Sequence, residues 1–372
     1  MKKIGITGQN GFVGKHLYNT LKLSPEEYTL IEFKKDYFDD ELKLDAFVVQ
    51  CDTIVHLAAM NRHESQEFIY ETNIKLVNQL IDSLERTNSK AHILFSSSSQ
   101  EEKDNLYGKS KKEGREKLVQ WAEKSGGKVN GIVIPNVFGP FGKPFYNSFI
   151  ATFCYQLTHN ETPSIAVDGE VQLIFVSELV KEIIEIINKE EHNELLIINS
   201  TSKVKVSDVL NLLQNFKSNY FERGEIPALN NTFDLNLFNT FRSYIDHSNF
   251  FPIKFTQHID PRGAFVEVIR LGIGGQVSFS TTIPGITRGN HFHTRKIERF
   301  SVIKGKALIQ LRKIDSDEVI DLFLDGSEPA YVDMPIWYTH NIKNIGEEEL
   351  YTIFWINEFY NPEDADTYFV EV

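Results

Sequence analysis

His291, His293 and Glu298 stand within the eight residues HFHTRKIE. Imidazole nitrogens and a carboxylate oxygen are ligands for borderline divalent metals, and residues two apart on a strand point to the same side, so this spacing reads as half of a metal site. A second chemistry stands at the other end of the chain. TGQNGFVG follows the strand-like KKIGIT and opens an amphipathic segment, with Gly8, Gly11 and Gly14 at intervals that permit a tight turn and close approach of backbone amides to a pyrophosphate. Further on, Tyr107 and Lys111 lie four apart on one helical face, after the serine run Ser96–Ser99. An adjacent ammonium and a bound cofactor are expected to lower the phenol's pKa, making Tyr107 a proton donor to a carbonyl as hydride arrives. Cofactor choice falls to the end of YTLIEFKKD, where Lys34 and Lys35 favour the 2′-phosphate of NADPH and Glu32 is the residue that would instead read NAD.

These groups need scaffolds, and the sequence changes rhythm between them. From Lys2 to about Ile187, short apolar runs (KKIGIT, YTLIEF, TIVHLAA, HILFSSS, GIVIPN) alternate with segments of near-3.6 periodicity such as Val13-Leu17-Leu21 and Leu76-Leu80-Leu84. That is the pattern of βαβ units and a parallel sheet with helices on both faces. After about Asp246 the runs QVSFSTT, KALIQLRKI, EVIDLFL, AYVDMPIW and LYTIFWINEF follow one another with turn signals between them, as in an antiparallel barrel or sandwich. We therefore expect an α/β domain over 1–246 and an antiparallel β domain over 247–372.

Bulk properties narrow the function. The 372 residues carry a net charge of −13, which argues against nucleic acid or an anionic membrane as the main partner. No run approaches the roughly 18 apolar residues of a membrane span. Glycines interrupt the segment after Met1-Lys2-Lys3 where a signal peptide would be apolar, and Cys51 and Cys154 lack CxxC spacing. The expectation is a cytoplasmic protein without membrane attachment.

With these residues in place, TGQNGFVG, DTIVHLAA (Asp52–Ala59), Asn73, the serine run, YGKSK and PNVFGP together resemble the extended short-chain dehydrogenase/reductase family of nucleotide-sugar enzymes, over about residues 1–245. The resemblance implies a doubly wound Rossmann sheet that binds the cofactor through Gly8, Asn10, Gly11, Phe12, Val13, Gly14, Lys34, Lys35, Leu57, Ala58, Ala59, Tyr107 and Lys111. It implies that Ser98 orients the substrate carbonyl, with Ser97 and Ser99 as alternatives by register, that Tyr107 is the acid/base, and that Lys111 binds the nicotinamide ribose. The nine-residue step from Ser98 to Tyr107 is shorter than the family's usual separation and suggests an open substrate lid.

The carboxy-terminal half resembles the cupin family: Gly285, His291, His293, Glu298 and Gly305 match one signature, and Pro335, His340 and Asn344 the second. The resemblance implies that His340 completes a ligand set with His291, His293 and Glu298. Such a set suits Zn, Fe, Mn or Ni, with zinc the first choice. Trp337 replaces the second signature's usual glycine, either as a wall for a sugar or as a core-filling side chain. Both halves in this order, with NSFIATFCYQ, IPGITRGNH, YTHNI and DTYFVEV, are similar to bifunctional capsular-polysaccharide enzymes. That likeness implies a homodimer that epimerises carbon 3 of a UDP-linked 4-keto-6-deoxy-N-acetylhexosamine in the cupin, then reduces carbon 4 with NADPH, on the route to UDP-N-acetyl-L-fucosamine. The rival readings are a reductase with a structural or sugar-binding cupin, and a redox-sensing dinucleotide-binding protein. The intact Tyr107–Lys111 pair weighs against the sensor.

Overall fold

The computed structural model describes residues 1–260, 263–266, 268–269, 274–358 and 361–372. The chain forms two compact units, one of Met1–Thr152 with Ile165–Val206, the other of Phe153–Ser164 with Ser207–Val372.

In the first unit β1 (Lys2–Thr7), α1 (Phe12–Leu21), β2 (Tyr28–Ile31), α2 (Glu41–Val48), β3 (Thr53–His56), α3 (Gln66–Arg86), β4 (His92–Ser98), α4 (Leu106–Ser125) and β5 (Val129–Ile134) follow in turn. With a last strand at Asn193–Ile197 they make a six-stranded sheet in the order β2-β1-β3-β4-β5 and then 193–197, parallel at every pairing. Alternate residues of each strand feed opposite cores. Ile4, Ile6, Val55, Leu94 and Ile132 pack with Leu17, Leu21, Leu179 and Ile183 on one face, whereas Ile54, Ile93, Phe95 and Val129 pack with Phe47, Val77, Leu80 and Leu118 on the other. Burial on both faces is why these strands read as apolar runs rather than as an alternation. This is the Rossmann-type sheet expected from sequence. The chain leaves β1 toward β2 and returns to β3 on the opposite side of β1, so the strand order reverses between β1 and β3, where such sheets bind ligands.

The second unit contains two five-stranded antiparallel sheets. One runs Ile253–Lys254, Ala330–Met334, Glu298–Lys304, Leu350–Ile356, Gln276–Thr282, and the other Val319–Asp325, Lys306–Lys313, Tyr338–Asn344, Thr287–Phe292, Tyr368–Phe369. Val302, Ala307, Ile309, Leu311, Leu322, Leu324, Val332, Ile342 and Leu350 fill the space between them. All five β runs named from sequence form strands here, as expected of a cupin barrel.

This unit begins earlier than the change of rhythm near residue 246, because helical residues after Ser207 are tied to the barrel. The Tyr220 hydroxyl donates to Asp333 at 2.7 Å, Asn239 to the Arg295 carbonyl at 3.0 Å and Arg242 to the Met334 carbonyl at 2.9 Å. Such long-range bonds leave no local periodicity to read.

Candidate functional site

The turn after β1 is built from glycines because side chains there would run into neighbouring backbone. Gly8 has φ +77, and a side chain there would meet the Ala58 amide nitrogen at 2.9 Å; one on Gly14 would meet the Gly8 carbonyl oxygen at 2.3 Å. The Gly11 amide donates to that same oxygen at 2.9 Å. Gly11 caps α1 without a side-chain acceptor and no acidic residue stands in the first turn, so Phe12, Val13 and Gly14 open a helix whose amides and dipole are left to an anion. Asn10 lies exposed beside them. Leu57, Ala58 and Ala59 leave β3 at the same end of the sheet, where buried Asn73 pins the loop by accepting from the Met60 amide at 2.7 Å and donating to its carbonyl at 3.1 Å. Lys34 and Lys35 are exposed just beyond β2, with Lys34 3.5 Å from Glu32.

Asn105 caps α4 by accepting from the Gly108 amide at 2.8 Å, which places Tyr107 in the first turn and Lys111 one turn later. Of the serines, Ser96 donates to the His56 carbonyl, Ser97 to Glu101, and Ser98 is the one whose hydroxyl bonds the Tyr107 phenol. Ser99 is exposed. Ser98 is therefore the serine of the run that faces the phenol. The expected depression of the phenol pKa is not supplied by the protein's own groups. Burial pushes Tyr107 up to about 12, with the Ser98 bond only partly opposing it. Lys111 lies 5.9 Å from the phenol ring centroid and donates to the Ser96 carbonyl at 2.8 Å. Its own burial brings it down to about 8, against the pull of Glu101. At neutral pH the phenol is therefore protonated, the state a donor requires.

Two supports of this triad have reasons that only the fold shows. A side chain on Gly108 would fall 1.9 Å from the Gln100 carbonyl oxygen, so only glycine lets α4 start against the short Ser98–Tyr107 connection. Glu101 in that connection takes a two-pronged ion pair from Arg115, at 3.0 Å and 2.9 Å. Gly108 sits within YGKSK, but neither its close approach to Gln100 nor the Glu101–Arg115 pair is legible from local spacing.

In the second unit His291, His293, Glu298 and His340 bring one ligand atom each to within 4.8 Å of one another. His291 is the penultimate residue of the strand Thr287–Phe292, after an irregularity between Gly289 and His291, and His293 lies just beyond the strand, so the pair does not share one strand as expected. Both still point into the cluster. His340 sits directly opposite His291 on the next strand, and Glu298 starts the strand Glu298–Lys304. Nδ1 of His293 faces the Asp366 carbonyl and Nδ1 of His340 the Tyr338 carbonyl at 3.2 Å. A carbonyl only accepts, so each neutral ring keeps its proton on Nδ1 and turns a lone pair inward on Nε2. Those Nε2 atoms lie 3.0 and 3.3 Å from Glu298 Oε2. All three atoms are buried without a hydrogen bond. Acceptors facing one another in this way call for a cation between them, and the donor set fits a divalent metal. Without a metal, protonation of His293 and His340 is what would hold the Glu298 carboxyl well below the usual range despite its burial; a divalent cation would take the place of those protons. Burial also lowers His291 to about 4, keeping it neutral and able to ligate at ordinary pH.

Trp337 is a core-filling residue. It is 4% exposed, adopts φ +62, stacks on Phe292 at 5.4 Å and donates its amide to the His293 carbonyl at 2.8 Å. Aromatic side chains beside the ligand set include half-buried Phe300, 6.0 Å from the His340 ring and 5.7 Å from Phe354, and exposed Phe369, 6.0 Å from the His291 ring. Phe300 follows Glu298 by two on the same strand, a signal that period-2 alternation could have revealed. Lys296, near the metal motif in sequence, directs its ammonium to the Ala365 carbonyl at 2.6 Å.

Residues 4–199 match the family described as NAD dependent epimerase/dehydratase, just over half of the chain. The chain belongs to that family. Residues 258–368 match a polysaccharide biosynthesis C-terminal domain. Across its whole length the chain is similar to the capsular polysaccharide assembling protein CapF from Staphylococcus aureus, at 36% identity, complete coverage of both chains and a TM-score of 0.64. It is 30% identical to a Pseudomonas aeruginosa protein named UDP-2-acetamido-2,6-beta-L-arabino-hexul-4-ose reductase, over 98% of both chains. A Bacillus subtilis protein, spore coat polysaccharide biosynthesis protein SpsL, is 28% identical over 30% of this chain and 82% of its own. For this member of the epimerase/dehydratase family, the two-unit architecture and the likeness to CapF stand together. Among the described residues no helix is long and apolar enough to cross a membrane.

Proposed function

We propose that the chain acts twice on one nucleotide sugar: the barrel unit epimerises carbon 3 of a UDP-linked 4-keto-6-deoxy-N-acetylhexosamine, and the Rossmann unit reduces its 4-keto group with NADPH, on the route to UDP-N-acetyl-L-fucosamine. The observation that carries the reading is the presence, in one chain, of a Ser98–Tyr107 contact beside buried Lys111 and of buried, unsatisfied ligand atoms in His293, Glu298 and His340. The name of the Pseudomonas relative supports the substrate class.

In the reductase step Ser98 holds the carbonyl oxygen and Tyr107 gives it a proton, while NADPH, when bound, would supply the hydride to carbon 4. The result is an alcohol and NADP⁺. Lys34 and Lys35 are assigned to the 2′-phosphate, and Lys111 to the nicotinamide ribose. In the epimerase step a proton leaves carbon 3, acidified by the neighbouring ketone, and one returns on the opposite face. His291, His293, Glu298 and His340 would hold a divalent metal, zinc by preference, which when bound would supply Lewis-acid charge for the 4-keto oxygen. Phe300 offers the sugar an apolar face beside those ligands.

The test is incubation with the 4-keto sugar in deuterated water, with and without NADPH. Deuterium at carbon 3 without NADPH, and a reduced product only with it, are expected. Reduction without any carbon-3 exchange would leave a single-activity reductase. Assembly as a homodimer through the barrel is part of the same proposal, since the edge strand Gln276–Thr282 leaves Val277 56% and Phe279 73% exposed. Light scattering that gives a monomer at micromolar concentration would refute the dimer.

A further inference from the structure

The carboxy-terminal segment makes an unusual set of bonds to the turn that follows His293. The carboxylate of Asp366 accepts from the Thr294 amide at 3.0 Å and its hydroxyl at 2.6 Å through one oxygen, and from the Arg295 and Lys296 amides, both at 3.0 Å, through the other. Its backbone carbonyl accepts from His293 Nδ1. Asp366 is 5% exposed and has φ +42, a left-handed conformation that an aspartate adopts when its surroundings hold it there. Arg295 adds ion pairs to Asp364 at 2.8 Å and to Glu358 at 3.2 Å, and the Lys296 ammonium binds the Ala365 carbonyl.

One residue therefore does two things to one histidine. Its carboxylate gathers three successive amides of the turn that enters the strand carrying Glu298, and its carbonyl fixes the ring of His293. We propose that Asp366 is a positioning residue for the metal centre, setting the tautomer and orientation of His293 and the separation of His293 from Glu298. The carbonyl holds the proton on Nδ1, which leaves Nε2 as the donor, and the carboxylate fixes the backbone so that this nitrogen stays 3.0 Å from Glu298 Oε2. Asp366 touches no ligand atom of the site itself, so its effect is read through His293. The segment acts as a strap, joining residues some 70 positions apart.

This rests on the metal reading above, so the experiment measures metal directly. Wild type, Asp366→Ala, Asp366→Asn and, as a control, Asp364→Asn are freed of metal and titrated with Zn²⁺ against a chromophoric chelator; Co²⁺ absorption is then recorded for each. Asp364 belongs to the same strap, but its carboxylate accepts from the half-buried Arg295 side chain rather than from the backbone beside His293. Asp366→Ala is expected to lose about 10–100-fold in Zn²⁺ affinity and to shift the Co²⁺ bands, as loss of an outer partner of a ligand does. Asp364→Asn should match wild type in both. If Asp366→Ala does not fold, Asp366→Asn, which keeps the carbonyl but turns an amide donor toward the backbone N–H groups, should show a smaller loss of the same kind. A variant that melts earlier yet keeps wild-type Zn²⁺ affinity and Co²⁺ bands overturns the proposal and leaves Asp366 structural. Wild type that takes up no metal overturns the metal reading, and this inference with it.

Discussion

Tyr107 and Lys111 share a helical face but meet opposite electrostatic demands. Burial keeps the phenol protonated and makes the ammonium costly. With Tyr107 as the proposed proton donor, Tyr107→Phe should lower turnover by about 10²–10⁴-fold while NADPH still binds, as fluorescence titration alongside a rate assay would show. Lys111 stands at about 8 in the folded chain against an ordinary 10.5. The folded state therefore releases a proton that the unfolded state still holds between those values. The penalty for burying the charge is complete below about pH 8, declines as pH rises, and is gone above 10.5. Lys111→Met should accordingly stabilise the cofactor-free chain at pH 7 by about 1–3 kcal/mol, allowing for the lost bond to Ser96, and abolish reduction. A melting temperature that falls on this substitution would contradict the argument. In the barrel, His340→Ala is expected to abolish stoichiometric metal uptake and carbon-3 exchange and leave NADPH affinity unchanged, since every ligand lies within one unit. Metal analysis and deuterium exchange check it.

At the scale of elements, the first site depends on how closely helices can approach strand ends. A methyl on Gly14 would stand 2.3 Å from the Gly8 carbonyl oxygen, which is backbone and has little room to yield. Gly14→Ala is expected to displace α1 from the turn and weaken NADPH binding by at least about tenfold, equivalent to ~1.4 kcal/mol, with metal content unaffected. NADPH titration and metal analysis on the same sample decide it. Gly14 was legible from sequence because its spacing belongs to a recurring turn. Gly108 needs its lack of a side chain as much, but its reason is the Gln100 carbonyl, and no local pattern announces where that carbonyl lies. The same limit separates Glu298, visible from its distance to the HxH pair, from Asp366, which reaches that pair across the chain.

At the scale of the molecule, two units with separate cores hold separate sets of reactive groups. Removing metal with a chelator should stop carbon-3 exchange and lower the melting temperature of the barrel unit, while NADPH binding persists. Calorimetry and cofactor titration on the chelated protein measure the two effects. Loss of NADPH binding on chelation would show that the barrel supports the other unit's fold and would favour the single-activity reading.

The sequence by itself determined the parallel sheet and the antiparallel barrel, because burial on both faces or one imprints a period on neighbouring residues. It also determined the glycine turn, the Tyr107–Lys111 face and the HxH pair, since each is encoded within a few residues. Tertiary structure alone decided that Ser98 and not its neighbours meets Tyr107, that burial raises the phenol's pKa, that Trp337 fills the core while Phe300 flanks the ligands, and that residues after Ser207 join the barrel. Each of those depends on which groups distant in the chain are brought within a few ångströms, and on how much water they exclude, quantities that local spacing does not contain.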